Sequence, residues 1–251
     1  MVLEVCSFNI QSCIIAQQVG ATRTELCDNP VEGGTTPSYG AIRQTREKIS
    51  IELYPIIRPR AGTYFYDENE FAMMLQDIKV CKELGCDGIS IGVQKQDGNI
   101  DTDRLKRIVD LAYPLGVTCN RVFDATPDAF RALEEIIESG CERILTSGQK
   151  PAALEGSDLI NALIGQADCR IILMPGSGVR SDNITAIAER TGAEEFHTSA
   201  RIFTETNMRF QNDTMEENLR SVLADGDEIR KIIELLNQRV YVEQEATNPQ
   251  H

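Results

Sequence analysis

Residues 82–93 read "KELGCDGISIGV": a helix-like end, a glycine, and then a short run of apolar and β-branched residues. Glycine just past a helix supplies the left-handed cap that lets the chain turn back. The run after it has the character of a parallel strand covered on both faces. The same unit recurs on either side, as "QQVGATRTEL" (17–26), "YPLGVTCNRVF" (113–123), "ESGCERILTSG" (138–148) and "ERTGAEEFHTSA" (189–200). Three further strands fit the series: "LEVCSF" (3–8), "ISIELYPIIR" (49–58) and "CRIILMPGSG" (169–178).

Amphipathic stretches lie between these runs. "EFAMMLQDIKVCKEL" sets Phe71, Met74, Leu75, Ile78 and Cys81 on one helical stripe. "DTDRLKRIVDLAY" opens with Asp101 as an N-cap and puts Leu105, Ile108, Val109 and Ala112 on one face, while "TPDAFRALEEIIESG" suggests Thr126 as N-cap and Pro127 as first helical residue. Eightfold alternation of strand and helix predicts an α/β fold of the TIM (β/α)8 barrel type, with a doubly wound open sheet as the alternative. No linker interrupts the series, so residues 1–251 are expected to form a single domain. A closing helix is expected near Glu228–Val242, a frayed polar tail over 243–251, and a long loop over 203–216 on the working side of the barrel.

Composition narrows the function classes. The 251 residues are 41% hydrophobic and 25% charged, with a net charge of -14. A chain that acidic repels phosphate backbones, and no local basic patch offsets it, so nucleic acid is not an expected partner. The opening residues lack a basic leader and no stretch approaches a membrane span, which predicts a cytoplasmic protein. Eight cysteines without a CxxC fit a reducing compartment, with Cys81 and Cys86 read as buried small apolar residues.

Side chains alternate along a strand, so Glu4 and Cys6 share one face and Glu25 and Cys27 another. Val5 and Leu26 then face the helices, and both acid–thiol couples face the barrel axis. The thiols sit nearer the C-terminal rim, where two at equal height could share a ligand; barrel stagger bears on that height. The competing reading makes both cysteines small fillers of a barrel layer. Buried acids need partners, and Arg58 and Arg121, at the ends of the third and fifth strands, are candidates for an internal ion-pair layer or for gripping an anionic substrate. Asp28 and Asp124 follow strand ends, as bases or loop caps.

The seventh strand ends "MPGSGVRSDN", where Gly176, Ser177 and Gly178 either let backbone N–H groups approach an anion or form a tight turn. Ser147, after the sixth strand, and Ser199, after the eighth, add donors nearby. His197 is the one histidine outside the terminal residue, so a multi-histidine metal site is not available. A satisfied core histidine is the simplest reading, and a Cys27–His197 dyad needs the two to face one another across the first strand.

Taken together, "ELCDNPVEGGTTPS", "PIIRPRAG", "DGISIGV", "NRVFD", "RILTSGQ", "ILMPGSGV" and "EFHTSAR" resemble the CutC family of copper homeostasis proteins, in order, from residue 2 to about residue 212. The resemblance implies a cytoplasmic TIM barrel, dimeric or higher, and Cu(I) ligation by Cys6 and Cys27; soft thiolates do select Cu(I). The family's usual histidine before the arginine of the fifth strand is Asn120 here. Three functions follow as expectations. One is a copper-homeostasis protein holding Cu(I). Another is an enzyme on a small phosphorylated or carboxylated metabolite, with Arg58 and Arg121 gripping the anion and Glu25 or Asp124 as base. The third is a structural oligomer.

Overall fold

The structure is a computed structural model describing residues 1–212, 214 and 218–247, with side chains to residue 239. Eight parallel strands, β1 Val2–Ser7, β2 Arg23–Leu26, β3 Glu52–Ile57, β4 Gly88–Ile91, β5 Gly116–Cys119, β6 Arg143–Thr146, β7 Ile172–Pro175 and β8 Glu195–Thr198, form one sheet. Its order is β7-β6-β5-β4-β3-β2-β1-β8, which winds into a nearly closed TIM barrel. At the seam between β7 and β8 only glycine fits: a Cβ on Gly176 would lie 2.4 Å from Leu145 and 3.2 Å from the Cβ of His197.

Helices α1 Ile10–Gln18, α2 Tyr39–Lys48, α3 Glu68–Glu83, α4 Thr102–Ala112, α5 Ala129–Glu138, α6 Ser157–Ala167, α7 Ile184–Thr191 and α8 Gly226–Thr247 surround the barrel. The expected stripes pack inward: Phe71, Met74, Ile78 and Cys81 of α3 and Leu105, Ile108 and Ala112 of α4 are buried. Each such aliphatic or aromatic side chain contributes roughly 1.5–3 kcal/mol by leaving water. Val5 and Leu26 lie in the two apolar layers between sheet and helices. Asp101 caps α4, accepting the Arg104 N–H at 3.2 Å.

Four expectations change. The fifth strand ends at Cys119, because Asn120 Oδ1 accepts the Val122 N–H at 3.0 Å and bends the chain into a 3-10 turn over Phe123–Ala125. Asp128, not Thr126, caps α5: it accepts the N–H groups of Phe130 and Arg131, while the Thr126 hydroxyl is spent on the Phe123 carbonyl. The stretch expected as a loop from 203 begins in a hairpin, β9 Arg201–Thr204 paired antiparallel with β10 Ser221–Ala224. Asn9 and Ser12 of the α1 start pin β10 through Val222 O and Ala224 N; residues 213 and 215–217 lie outside the described residues. Finally, α8 runs through 243–247, part of the expected tail, and 248–251 lie outside the described residues. Among the described residues no helix is long and apolar enough to cross a membrane.

Candidate functional site

The lower barrel interior is an ion-pair layer. Arg23, 2% exposed, donates to Glu4, to Glu195 at 2.7 Å and to Glu52 at 3.2 Å. Arg143 pairs with Glu195 at 2.7 Å and Glu142 at 2.6 Å. Both guanidinium groups lie over the Tyr54 ring, 5.2 and 5.7 Å from its centroid, and the Tyr54 hydroxyl donates to Glu142 at 2.7 Å. Such a layer was expected, but from Arg58 and Arg121. Strand alternation carried the missed signal: Arg23 shares a face with Glu25, and Arg143 shares one with Leu145.

One layer toward the C-terminal rim lie Cys6, Glu25, Cys27 and His197. Glu25 is the register partner of Cys6, so Cys27 stands two residues further along its strand; barrel stagger offsets the thiols in height. Their side chains still meet, with the two sulfurs 3.7 Å apart. A ligand atom from each of Cys6, Glu25 and Cys27 lies within 4.8 Å of the others. His197 Nδ1 lies 2.7 Å from Glu4 Oε1 and its Nε2 3.9 Å from Glu25 Oε2. The imidazole thus links the ion-pair layer to the thiols. It belongs with Cys6, beside it in the cleft, rather than in the Cys27 dyad considered from sequence.

The electrostatics follow from these neighbours. The contact with Cys27 and, against burial, His197 bring the Cys6 thiol down to about 5. The same contact with Cys6, and burial, push Cys27 well above an ordinary thiol. Burial, then the Cys6 charge, raise Glu25 to about 8. Burial acts against the Glu4 carboxylate, yet His197 and Arg23 hold it at about 2. Burial alone would discharge His197; Cys6, Glu4 and Glu25 outweigh it and hold the imidazole well above its usual range. The directions set an order: Cys6 gives up its proton more readily than Cys27, while Glu25 and His197 hold theirs longer than a free carboxyl and a free imidazole do.

The loop after β2 covers this cluster. Asp28 and Thr35 exchange backbone hydrogen bonds at 3.0 Å, folding the intervening glycines back over the strand end. A Cβ on Gly34 would lie 3.3 Å from Cys27 Sγ, so glycine lets the loop seal that thiol, which is 3% exposed. Arg58 is not a substrate grip. It is buried and donates to the carbonyls of Glu32, Gly34 and Gly62 at 2.8–2.9 Å, clamping the loop.

Asp124 is not a free base either. It accepts from Arg121, Thr146, the Ser147 N–H and hydroxyl, and Gln149 N–H, organising the loop after β6. Ser147 is fully buried, with its hydroxyl between Asp124, Arg121 and the Lys150 carbonyl, so it leaves the anion-binding set. Gly176 also leaves: its N–H bonds Thr146 O at 2.9 Å and its missing side chain serves packing at the seam. Arg121, Ser177, Gly178 and Ser199 do converge, with Cys6 and His197, on a cleft of about 430 Å³ at the C-terminal face. Arg180 and Arg201 line it too, and neither was singled out in the sequence. Asn120 is buried, and among the described residues its Nδ2 has no hydrogen-bond partner.

The thiol pair fits a soft or borderline metal ion. With metal–sulfur bonds of about 2.3 Å, a 3.7 Å sulfur separation corresponds to a bent angle of roughly 107°, which leaves room for a third ligand such as Glu25.

Comparison with known proteins agrees with this architecture. Residues 1–202 match the model of the CutC family. A CutC family protein of Parabacteroides distasonis is 49% identical over 215 residues, covering 85% of this chain and 88% of the relative. One from Chromobacterium violaceum is 46% identical over 210 residues, covering 84% and 85%. The solved structure of a CutC protein from Streptococcus agalactiae, named for copper homeostasis, superposes with a TM-score of 0.75 at 31% identity, covering 79% of this chain and 98% of that one. The chain belongs to the CutC family.

Proposed function

We propose that this protein binds Cu(I) as cargo between Cys6 and Cys27 and so serves copper homeostasis in a reducing, cytoplasmic setting. The observation that carries the reading is the thiol pair itself: two sulfurs 3.7 Å apart, Cys6 lining an open cleft and Cys27 buried beside it under the loop after β2. Soft thiolates favour Cu(I) over harder divalent ions. Cys6 is the more acidic of the two thiols, so a metal held by the two sulfurs alone displaces chiefly the Cys27 proton. One released proton per ion makes affinity fall as the solution is acidified. All eight cysteines are free, as this chemistry requires.

The expected result is retention of one Cu(I) per chain against a competing Cu(I) chelator. The Cys6→Ser/Cys27→Ser variant should release the metal under the same conditions, with an unchanged circular dichroism spectrum. Equal retention by the double variant would remove the assignment.

A further inference from the structure

We propose that the cleft above the thiol pair is a binding site for the phosphate group of a small phosphorylated metabolite, with Arg180 as its leading cation. The site shares its cleft with Cys6 but takes no donor from either sulfur. Its first support is charge. In a chain of net charge -14, Arg121, Arg180 and Arg201 come from the segments after β5, β7 and β8, Arg201 as the first residue of β9, to line one mouth. The single carboxylate paired among them, Asp124, takes the Nε of Arg121 and is otherwise held by Thr146, Ser147 and Gln149 of the loop after β6, which leaves Arg180 and Arg201 without a carboxylate among the described residues.

The second support is unused bonding capacity. Among the described residues, the Arg180 guanidinium has no hydrogen-bond or ion-pair partner, although its backbone N–H is fixed by Asn183 at 2.9 Å. Arg201 spends one donor on the Pro30 carbonyl and stacks on Phe8, 5.8 Å from the ring centroid, without a carboxylate. The backbone N–H groups of Ser177, Gly178 and Ser199 find no acceptor among the described residues. Guanidinium forks and free backbone N–H groups are the donors that phosphate oxygens take.

The third support is shape. A cleft of about 430 Å³ exceeds what a bare phosphate fills and falls within the range of small-molecule pockets. A dianion with three terminal oxygens matches several cations and several N–H donors better than a carboxylate, with one charge and two oxygens. The site also sits after β7 and β8, where barrels commonly hold phosphate.

Isothermal titration at constant ionic strength tests this, with inorganic phosphate, glycerol 3-phosphate and acetate as probes. Both phosphates should saturate a single site and acetate should not. Arg180→Gln should weaken phosphate binding roughly tenfold or more, the loss of one charge-assisted interaction. That variant loses no internal partner, so its fold and its Cu(I) retention should match wild type. The Cys6→Ser/Cys27→Ser variant takes the Cys6 charge out of the cleft wall, so it should bind phosphate at least as tightly as wild type while releasing Cu(I), which separates failure of the copper reading from failure of this one. Absence of saturation by either phosphate, equal binding of acetate, or undiminished binding by Arg180→Gln overturns the proposal.

Discussion

Arg23→Met should lower the unfolding free energy by about 3–5 kcal/mol, the usual cost of removing one member of a buried ion network. The reason is the company Arg23 keeps. It is 2% exposed and holds Glu4, itself 2% exposed, together with Glu195. Methionine fills much of the same space but leaves two carboxylates facing each other inside the barrel. Arg143 still serves Glu195, whereas Glu4 keeps only His197. The double change Arg23→Met/Glu4→Gln should therefore recover part of the loss, since removing both charges removes the uncompensated one. Arg43→Met provides the contrast. Its partner Glu47 lies one helical turn away with both side chains more than half exposed, and such pairs are worth about 0.3–0.5 kcal/mol. Urea denaturation at neutral pH measures all three variants. If Arg23→Met costs no more than Arg43→Met, the interior ion pairs do not hold the barrel together.

This layer also shows where sequence reading stops. Strand and helix order came through period and punctuation, which are local properties: Gly85 and the "ISIGV" run announce a helix end and a strand with no knowledge of the rest. The face of each acid–thiol couple came from strand alternation, also local. What failed was the assignment of partners. Arg58 and Arg121 end strands and so look like partners for the interior acids, yet Arg58 turns to three carbonyls of adjoining loops and Arg121 to its neighbour Asp124. Which acceptors a buried guanidinium finds depends on how loops fold over the rim, and that is fixed by contacts tens of residues apart. His197 is a sharper case. A lone histidine in a strand reads as core, and only ring closure beside β1 puts it between Glu4 and Glu25. Arg180 escaped notice because its distinguishing property is an absence of partners, which no motif records.

The cluster makes one prediction that no single residue would. Between about pH 5 and 8 the folded protein keeps Cys6 ionised and Glu25 protonated. The unfolded chain does the reverse, with a thiol near 8.5 and a carboxyl near 4.3. Each state then holds one proton on the pair, so the pair adds no slope to stability against pH. Glu25→Gln removes half of that balance. The depressed Cys6 is left, the unfolded state binds one more proton than the folded state, and stability should rise with pH by up to about 1.4 kcal/mol per unit from roughly 5 toward 8.5. Acidification through the folded value abolishes that contribution. Cys6→Ser removes the other half. Glu25 remains raised by burial, the folded state binds the extra proton, and stability should fall as pH climbs from about 4.3 through the folded value. With the Cys6 charge gone that folded value is lower than in wild type, so the decline ends sooner. Denaturant midpoints at quarter-unit steps from pH 5 to 6.25 resolve the two tilts, because below the unfolded imidazole value His197 is largely protonated in both states, and taking each variant minus wild type cancels the groups outside the cluster. The opposed slopes are the signature: two variant curves running parallel to wild type would mean that Cys6 and Glu25 do not exchange their usual protonation states inside the barrel.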